Sequence, residues 1–188
     1  MLQTLANQHR HQAGITEFCA MLSAEAAHST EHEILDLLPT HRSQISYEHR
    51  GARYMLYPDA SFQLRTGDSW HWRLLEFERR ATTPKRVPER LRAYQRYFES
   101  DYVRPDHDGQ LPLVLFVFES GQAETTFLDS AEQVSPAPFL SSNLDALLEH
   151  DVLGRSWRAS GAVSPDRHRL QQYGQLMVVQ HSRAEGFL

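Results

Sequence analysis

Several features that would narrow the function of this chain of 188 residues are scarce or missing. The single cysteine, Cys19, excludes an internal disulfide framework and fits a reducing compartment. No window approaches 18 apolar residues, and the N-terminal segment lacks the apolar run of a secretory signal, so the sequence predicts a soluble, cytoplasmic protein. The nine glycines are scattered, and no phosphate-binding glycine loop is present.

Zinc-binding spacings are also missing, although the chain has 11 histidines. No pair follows the H-E-x-x-H pattern or a finger motif, and one cysteine cannot complete a typical structural zinc site. We therefore expect the histidines, including His9, His11, His28 and His32, to lie on the surface. Lysine is almost absent as well, since Lys85 is the only one.

The chain contains enough apolar residues, 40%, for one compact domain with a real core. Its net charge of −5 argues mildly against a general nucleic-acid coat. Seven arginine or lysine residues and one glutamate nevertheless lie between Arg79 and Arg96, which gives this block a charge of +6. The block predicts either a surface that faces phosphates or a solvated, arginine-rich helix face.

Apolar periodicity predicts a mixed α/β fold. An amphipathic stripe predicts a helix over residues 13–27, and HEILDLLP at 32–39 predicts a second short helix. We expect a strand at SQISYEHRG and two strands between Arg53 and Arg80 that are joined by a turn at Thr66–Asp68. A helix should begin between Pro84 and Pro88 and run to about Tyr102, and LPLVLFVFES predicts a strand covered on both faces. The weaker C-terminal signals indicate a helix or turn and then a strand in GQAETTFLDS, a helix at 144–149, a terminal strand in GRSWRAS and an apolar piece, LMVVQ, of uncertain type.

The order helix, three strands, helix, strand predicts a mixed sheet with helices on its faces. No repeat, low-complexity stretch or convincing linker interrupts the chain. We expect a single domain over residues 1–188, with a core at about 5–157 and a C-terminal extension at 158–188.

Acidic side chains are concentrated on the two central strands. Residues two apart on a strand share a face, so Glu76 and Glu78 project the same way. A neighbouring strand that presents Asp59 to that face brings three carboxylates together, and these repel one another unless a cation lies among them or their pKa values rise. Mg²⁺ and Mn²⁺ prefer oxygen ligands, so the pattern predicts a metal site.

Pro58-Asp59, followed after 16 residues by Glu76-Phe77-Glu78, resembles the active-site pattern of the PD-(D/E)xK nuclease superfamily. The chain is more specifically similar to the plasmid replication-relaxation family, through AGITEFCAML, YPDASFQL, LLEFERRATTP, RLRAYQRYF and LPLVLFVFES. This resemblance implies a restriction-endonuclease-like core with the order α-β-β-β-α-β. It also implies Mg²⁺- or Mn²⁺-dependent phosphodiester cleavage, with Asp59 and Glu76 at the metal, together with the carbonyl of Phe77 as a further candidate ligand.

The chain departs from that pattern at one position. Glu78 stands where a lysine is usual, and we expect it to be a third metal ligand and catalytic residue. Lys85 is the candidate for the missing catalytic lysine, and Arg79 is the alternative cation. Arginine stays protonated and cannot serve as a general base, so the two are not equivalent. An acidic residue of the first helix, Glu17, is a weaker candidate for the metal shell.

The basic block supplies the predicted DNA contacts. These are Arg79, Arg86, Arg90 and Arg92 on phosphates, Tyr94 stacked on unpaired bases (unless it belongs to the core), and Gln95 hydrogen-bonded into the site. Tyr97 lies near them and is a further stacking candidate. DNA is the predicted partner, together with a separate DNA-recognition or replication protein. A homodimer stays open, because one nuclease centre cuts one strand.

Three functions stay open from the sequence. The first is a metal-dependent DNA endonuclease or nicking factor of a plasmid or mobile element. The second is a catalytically inactive accessory protein of nuclease fold that binds DNA or a partner protein. The third is a structural or interaction protein in which Glu76 and Glu78 pair with Arg79 or neighbouring arginines.

Overall fold

The chain begins with a long helix, continues with five strands, and then mixes helices with single strands. A computed structural model describes residues 2–78, 86–131, 139–159 and 166–171. The elements are α1 (Leu2–His28), β1 (His32–Pro39), β2 (Ile45–His49), β3 (Ala52–Leu56), β4 (Ala60–Thr66), β5 (Ser69–Glu78), α2 (Arg86–Phe98), α3 (Val103–Asp106), β6 (Leu113–Phe118), α4 (Gly121–Ala131), β7 (Phe139–Asn143), α5 (Leu144–His150) and β8 (Arg158–Ala159). No helix within these ranges is long and apolar enough to cross a membrane.

The main sheet has six strands in the order β1-β4-β5-β6-β7-β8. Strand β4 is antiparallel to both of its neighbours, β1 and β5. Strands β5, β6 and β7 run parallel to one another, and β8 is antiparallel to β7. Strands β2 and β3 form a separate antiparallel hairpin. The predicted mixed α/β fold is confirmed. With the hairpin and the four-residue helix α3 set aside, the elements up to β6 follow the order α-β-β-β-α-β.

Two apolar layers cover the two faces of this sheet. Helix α1 packs Ile15, Phe18 and Leu22 against one face, where Leu75 and Phe77 of β5 are buried. The other face carries Leu74 of β5, the strand-facing residues of α2 and α4, and three residues of β6. All six residues of β6 are buried, which confirms the prediction of a strand covered on both faces.

Gly14 lets α1 approach β5 closely. A Cβ atom at this position would lie 2.1 Å from Cζ of the Phe77 ring, well inside van der Waals contact. The helix itself runs from Leu2 to His28, further at its N-terminus than the predicted residues 13–27. Gly14 thus places the N-terminal half of α1 beside the segment that carries the acidic side chains.

The short helix predicted at residues 32–39 is wrong, because this segment is strand β1. A register shift between Leu35 and Leu38, with Asp36 at a φ of 52°, interrupts the pairing with β4. The bulge brings Ile34 and Leu37 to the same side, where both pack on the α1 layer. This i, i+3 spacing imitates helical periodicity in the sequence.

Other predicted boundaries also change. The segment from Arg53 contributes three strands rather than two, because β3 pairs with β2 and ends before Pro58. The turn at Thr66–Asp68 is confirmed between β4 and β5. The expected strand in GQAETTFLDS is wrong, because α4 continues to Ala131 and buries Ala123, Phe127 and Ala131 at four-residue intervals.

Two of the predicted C-terminal elements are confirmed, and one lies outside the described residues. The helix at 144–149 is confirmed as α5, and the terminal strand is confirmed as β8. The piece LMVVQ lies outside the described residues. Helix α2 buries Val87, Leu91, Tyr94 and Tyr97, and it ends at Phe98, before the predicted end at about Tyr102.

Candidate functional site

Asp59 lies between β3 and β4, with its backbone held against β5. Its N–H donates to the carbonyl of Leu75 at 2.8 Å, and its carbonyl accepts the hydroxyl of Thr40 at 2.8 Å. The preceding carbonyl, of Pro58, accepts from Ser43 Oγ at 2.7 Å. These three bonds fix the position from which the Asp59 side chain reaches β5.

Both oxygens of the Asp59 carboxylate have partners. Oδ2 accepts the backbone N–H of Phe77 at 2.8 Å, and Oδ1 lies 3.0 Å from Nε2 of His11 on α1. The hydrogen bond to Asp59 raises the pKa of His11, and partial burial opposes this effect. His11 therefore belongs to the site, although its ring stays partly exposed. The prediction of a surface position is wrong for His32, which is buried.

Glu76 and Glu78 project from the same face of β5, as predicted from their spacing. Glu76 is buried, and its Oε1 accepts the hydroxyl of Tyr94 at 2.5 Å. Arg90 Nη1 of α2 lies 3.3 Å from Glu76 Oε2 and also pairs with Glu78 Oε1. One guanidinium thus bridges the two glutamates.

Burial is the main cause of the raised pKa of Glu76, and the negative charge of Asp59 raises it further. Arg90 opposes both effects by favouring the charged carboxylate. The pKa of the Tyr94 hydroxyl lies well above its ordinary value, chiefly because it is buried and then because Glu76 is negative. Tyr94 therefore stays a neutral phenol and donates a hydrogen bond to Glu76.

We use the term carboxylate cluster for Asp59, Glu76 and Glu78 together with Arg90 and His11. Within the described ranges, no three or more His, Cys, Asp or Glu side chains are arranged to hold a metal ion. The carboxylates are paired with groups of the protein instead: Asp59 contacts His11, and Arg90 lies between Glu76 and Glu78. In this arrangement the residues do not fit a bound Mg²⁺ or Mn²⁺, and the metal stays a prediction.

The basic residues predicted for the site differ in where the structure places them. Lys85 and Arg79 lie outside the described residues. Arg86, at the start of α2, and Arg92 are exposed, and their phosphate contacts stay predictions. Arg90 is engaged by Glu76 and Glu78 rather than presented freely to DNA.

The stacking roles of two tyrosines are wrong. Tyr94 and Tyr97 are 1% and 0% exposed, so neither ring face can receive a base. The alternative that Tyr94 belongs to the core is confirmed, with its ring edge-on to Phe116. Gln95 donates to Oε1 of Glu99, the residue after α2, at 3.0 Å, rather than to Asp59, Glu76 or Glu78.

The helical spacing of the sequence could have predicted that His11 faces inward. Together with Ile15, Phe18 and Leu22 it follows the spacing i, i+4, i+7, i+11, which places it on the inward side of α1. Glu17, the acidic residue considered for this helix, is exposed instead. The helix therefore contributes an imidazole, and not a carboxylate, to the site.

Comparison with known proteins identifies one family. The model of the family described as replication-relaxation matches residues 2–114, more than half of the chain. The matched segment contains every member of the carboxylate cluster. No curated protein and no solved structure matches the chain significantly. The chain belongs to the replication-relaxation family.

Proposed function

We propose that this protein acts on plasmid DNA during replication or mobilisation, as a DNA-binding accessory that does not cleave the phosphodiester backbone. Membership of the replication-relaxation family supports the role in replication or mobilisation. The position of Arg90, whose guanidinium pairs with both Glu76 and Glu78, is the observation that supports the absence of DNA cleavage. We further propose that the fold is a diverged restriction-endonuclease-like fold, supported by the order of the elements.

The physical argument concerns charge. Three carboxylates in a small volume need positive charge close by, particularly when one of them is buried as Glu76 is. A guanidinium supplies this charge permanently, because arginine is not deprotonated in proteins. A divalent ion would have to displace Arg90 and leave that charge unpaired. Glu78, which stands where the related nucleases usually have lysine, becomes the second partner of Arg90 rather than a metal ligand.

A metal-dependent nuclease is the second candidate, and a specific observation favours it. The protein holds Asp59 and Glu76 within electrostatic reach and raises the pKa of Glu76, which is common for carboxylates at functional sites. Mg²⁺ or Mn²⁺, if it binds there, would polarise the scissile phosphate and acidify a bound water. Lys85 would supply the cation that Glu78 does not.

A plasmid assay separates the two candidates. Supercoiled plasmid is incubated with the wild type and with Glu76→Ala, in Mg²⁺, in Mn²⁺ and in EDTA, and both retardation and nicking are scored. We expect retardation in all three conditions and no nicking by either protein. Nicking by the wild type that requires metal and disappears in Glu76→Ala would establish the nuclease instead. Failure to retard any DNA would contradict the DNA-binding role itself.

A further inference from the structure

A second polar site lies between the tip of the β2–β3 hairpin and the later turns of α2. It is a cavity of about 450 Å³ lined by His49, Arg50, Tyr54, Arg92 and Arg96, with Gln95 and Glu99 at its side. None of these residues belongs to the carboxylate cluster. The cavity therefore needs an explanation of its own.

The hairpin turn brings Arg50 to this cavity. His49 pairs with Ala52, which leaves Arg50 and Gly51 as a two-residue turn. Their φ values are 52° and 80°, as a type I′ turn requires at both central positions. Arg50 thus adopts a left-handed backbone conformation at the point where its side chain lines the cavity.

Arg96 is held in place by an aromatic ring. Its guanidinium carbon lies 5.0 Å from the centroid of Tyr54, and Tyr54 in turn stacks on Tyr47 at 5.6 Å. Nε of Arg96 is buried and has no hydrogen-bond partner among the described residues. A buried donor of this kind is costly unless it finds an acceptor.

The acid in the cavity is already engaged. Glu99 accepts from Gln95 at Oε1, and its Oε2 lies 3.8 Å from Nε2 of His49. Three arginines therefore line a cavity that has one carboxylate, Glu99, and this carboxylate already accepts a hydrogen bond from Gln95. The adjoining depression of about 380 Å³ adds Glu48 and Asp101, so positive charge is concentrated on the side of Arg92 and Arg96.

We propose that this cavity binds a phosphate group of a nucleic-acid backbone. Arginine presents a planar fork of donors that matches phosphate oxygens, and Arg50, Arg92 and Arg96 bring three guanidinium groups to the lining of one cavity. Phosphate contacts of this kind position a protein on nucleic acid without reading its sequence. That the phosphate belongs to a nucleic acid rests on the proposed function. That the cavity binds phosphate rests only on the arginines that line it.

The first test measures DNA affinity by fluorescence anisotropy at several salt concentrations. Arg92→Gln removes an exposed guanidinium, and Arg50→Asn removes another with a residue that tolerates a positive φ. Each variant is expected to weaken binding roughly three- to tenfold at low salt and to lower the salt slope by about one. Arg53→Gln is the matched control, because Arg53 lies on the same hairpin but donates to Ser46 outside the cavity.

The control is expected to bind within about twofold of the wild type. If Arg92→Gln and Arg50→Asn bind DNA as Arg53→Gln does, the proposal is overturned.

The second test titrates the protein with inorganic phosphate and follows the Nε–H resonance of Arg96 by NMR. We expect a saturable shift in the wild type and in Arg53→Gln, and a weaker response in Arg92→Gln and in Arg50→Asn.

The two tests together separate this proposal from the proposed function. A phosphate-dependent shift without any DNA binding would keep the anion site and overturn both nucleic acid as its ligand and the proposed function. DNA binding without a phosphate shift, and with equal affinity in all variants, would leave the proposed function intact and overturn the cavity as its phosphate site. A polyglutamate peptide that perturbs Arg96 more strongly than DNA does would overturn nucleic acid in favour of an acidic protein partner.

Discussion

Arg90 and His11 supply positive groups to the acidic side chains of the site. Arg90 bridges Glu76 and Glu78, and His11 contacts Asp59. The two basic residues come from different helices, α2 and α1, which cover opposite faces of the sheet. The carboxylate cluster is therefore also a point at which both helices are attached to the central strands.

The His11–Asp59 contact is expected to make stability depend on pH. The pKa of His11 is raised above its ordinary value of 6.5, so the folded protein binds a proton there more tightly than the unfolded chain does. The resulting stabilisation is fully present below pH 6.5 and is lost as pH rises through the raised pKa. It amounts to at most about 1 kcal/mol, because the ring is partly exposed and solvent screens the pair.

The measurement compares the free energy of unfolding of the wild type and His11→Gln, by denaturant titration on either side of that pH window. His9→Gln serves as the control, since His9 is exposed on the same helix. We expect a deficit in His11→Gln that is larger at acidic pH than at alkaline pH. A deficit of the same size at every pH would show that the contact does not depend on protonation.

The sequence predicted the acidic members of the site and missed the basic ones. Alternation along β5 was enough to place Glu76 and Glu78 on one side, and Pro58-Asp59 identified the third carboxylate. Arg90 was assigned to phosphates, because its pairing with β5 depends on how α2 packs across the sheet, which spacing within α2 does not reveal. His11 could have been found from its place on the apolar stripe of α1.

Elements were predictable where their periodicity was uninterrupted. The six apolar residues of β6 and the hairpin of β4 and β5 have clear patterns, and both are confirmed. The sequence of strand β1 has the pattern of a helix, because its bulge at Asp36 replaces the two-residue alternation with an i, i+3 spacing. Such a bulge is created by pairing with β4, so the local sequence alone does not specify it.

The packing of α1 on β5 gives a prediction at the scale of elements. In Gly14→Ala the new Cβ would meet Cζ and Cε1 of Phe77 at 2.1 and 2.2 Å, so the ring or the helix has to move. We expect a loss of about 1–3 kcal/mol in the free energy of unfolding, as for other overpacked cores. The shift also disturbs the Phe77 N–H that donates to Asp59.

Gly121→Ala provides the matched control. Gly121 is the first residue of α4, and a Cβ there would come no closer than 3.7 Å to its nearest neighbour, Nδ2 of Asn143. Thermal and denaturant unfolding of the two variants should therefore differ clearly, with Gly121→Ala close to the wild type. Similar stability for both variants would mean that α1 lies further from β5 than described.

The whole molecule extends beyond the segment that the family model matches. Strands β7 and β8 continue the sheet after residue 114, and the Glu25 carboxylate of α1 accepts the N–H groups of Val152 and Leu153. A buried network adds to this connection. Glu124, 0% exposed, accepts from Ser141 and Asn143 and pairs with Arg167 Nη2 at 2.7 Å.

Glu124→Gln is expected to destabilise the protein by about 3 kcal/mol, because Arg167 then keeps a largely buried charge without its counter-ion. The double variant Glu124→Gln/Arg167→Met should recover part of that loss, since it removes both charges together. Denaturant unfolding of the wild type, both single variants and the double variant forms the cycle. If the losses of the two single variants add up to the loss of the double variant, Glu124 and Arg167 are not energetically coupled, and the prediction is contradicted.

The central claim is that Arg90 occupies the place of a metal ion in the carboxylate cluster, and Mn²⁺ binding followed by EPR tests it most directly. We expect the wild type to leave the signal of free Mn²⁺ unchanged and Arg90→Ala to bind Mn²⁺, because Glu76 and Glu78 then lack their bridging cation. Arg92→Ala, two residues along α2 and exposed, should behave as the wild type does. Stoichiometric Mn²⁺ binding by the wild type that disappears in Glu76→Gln would contradict the claim.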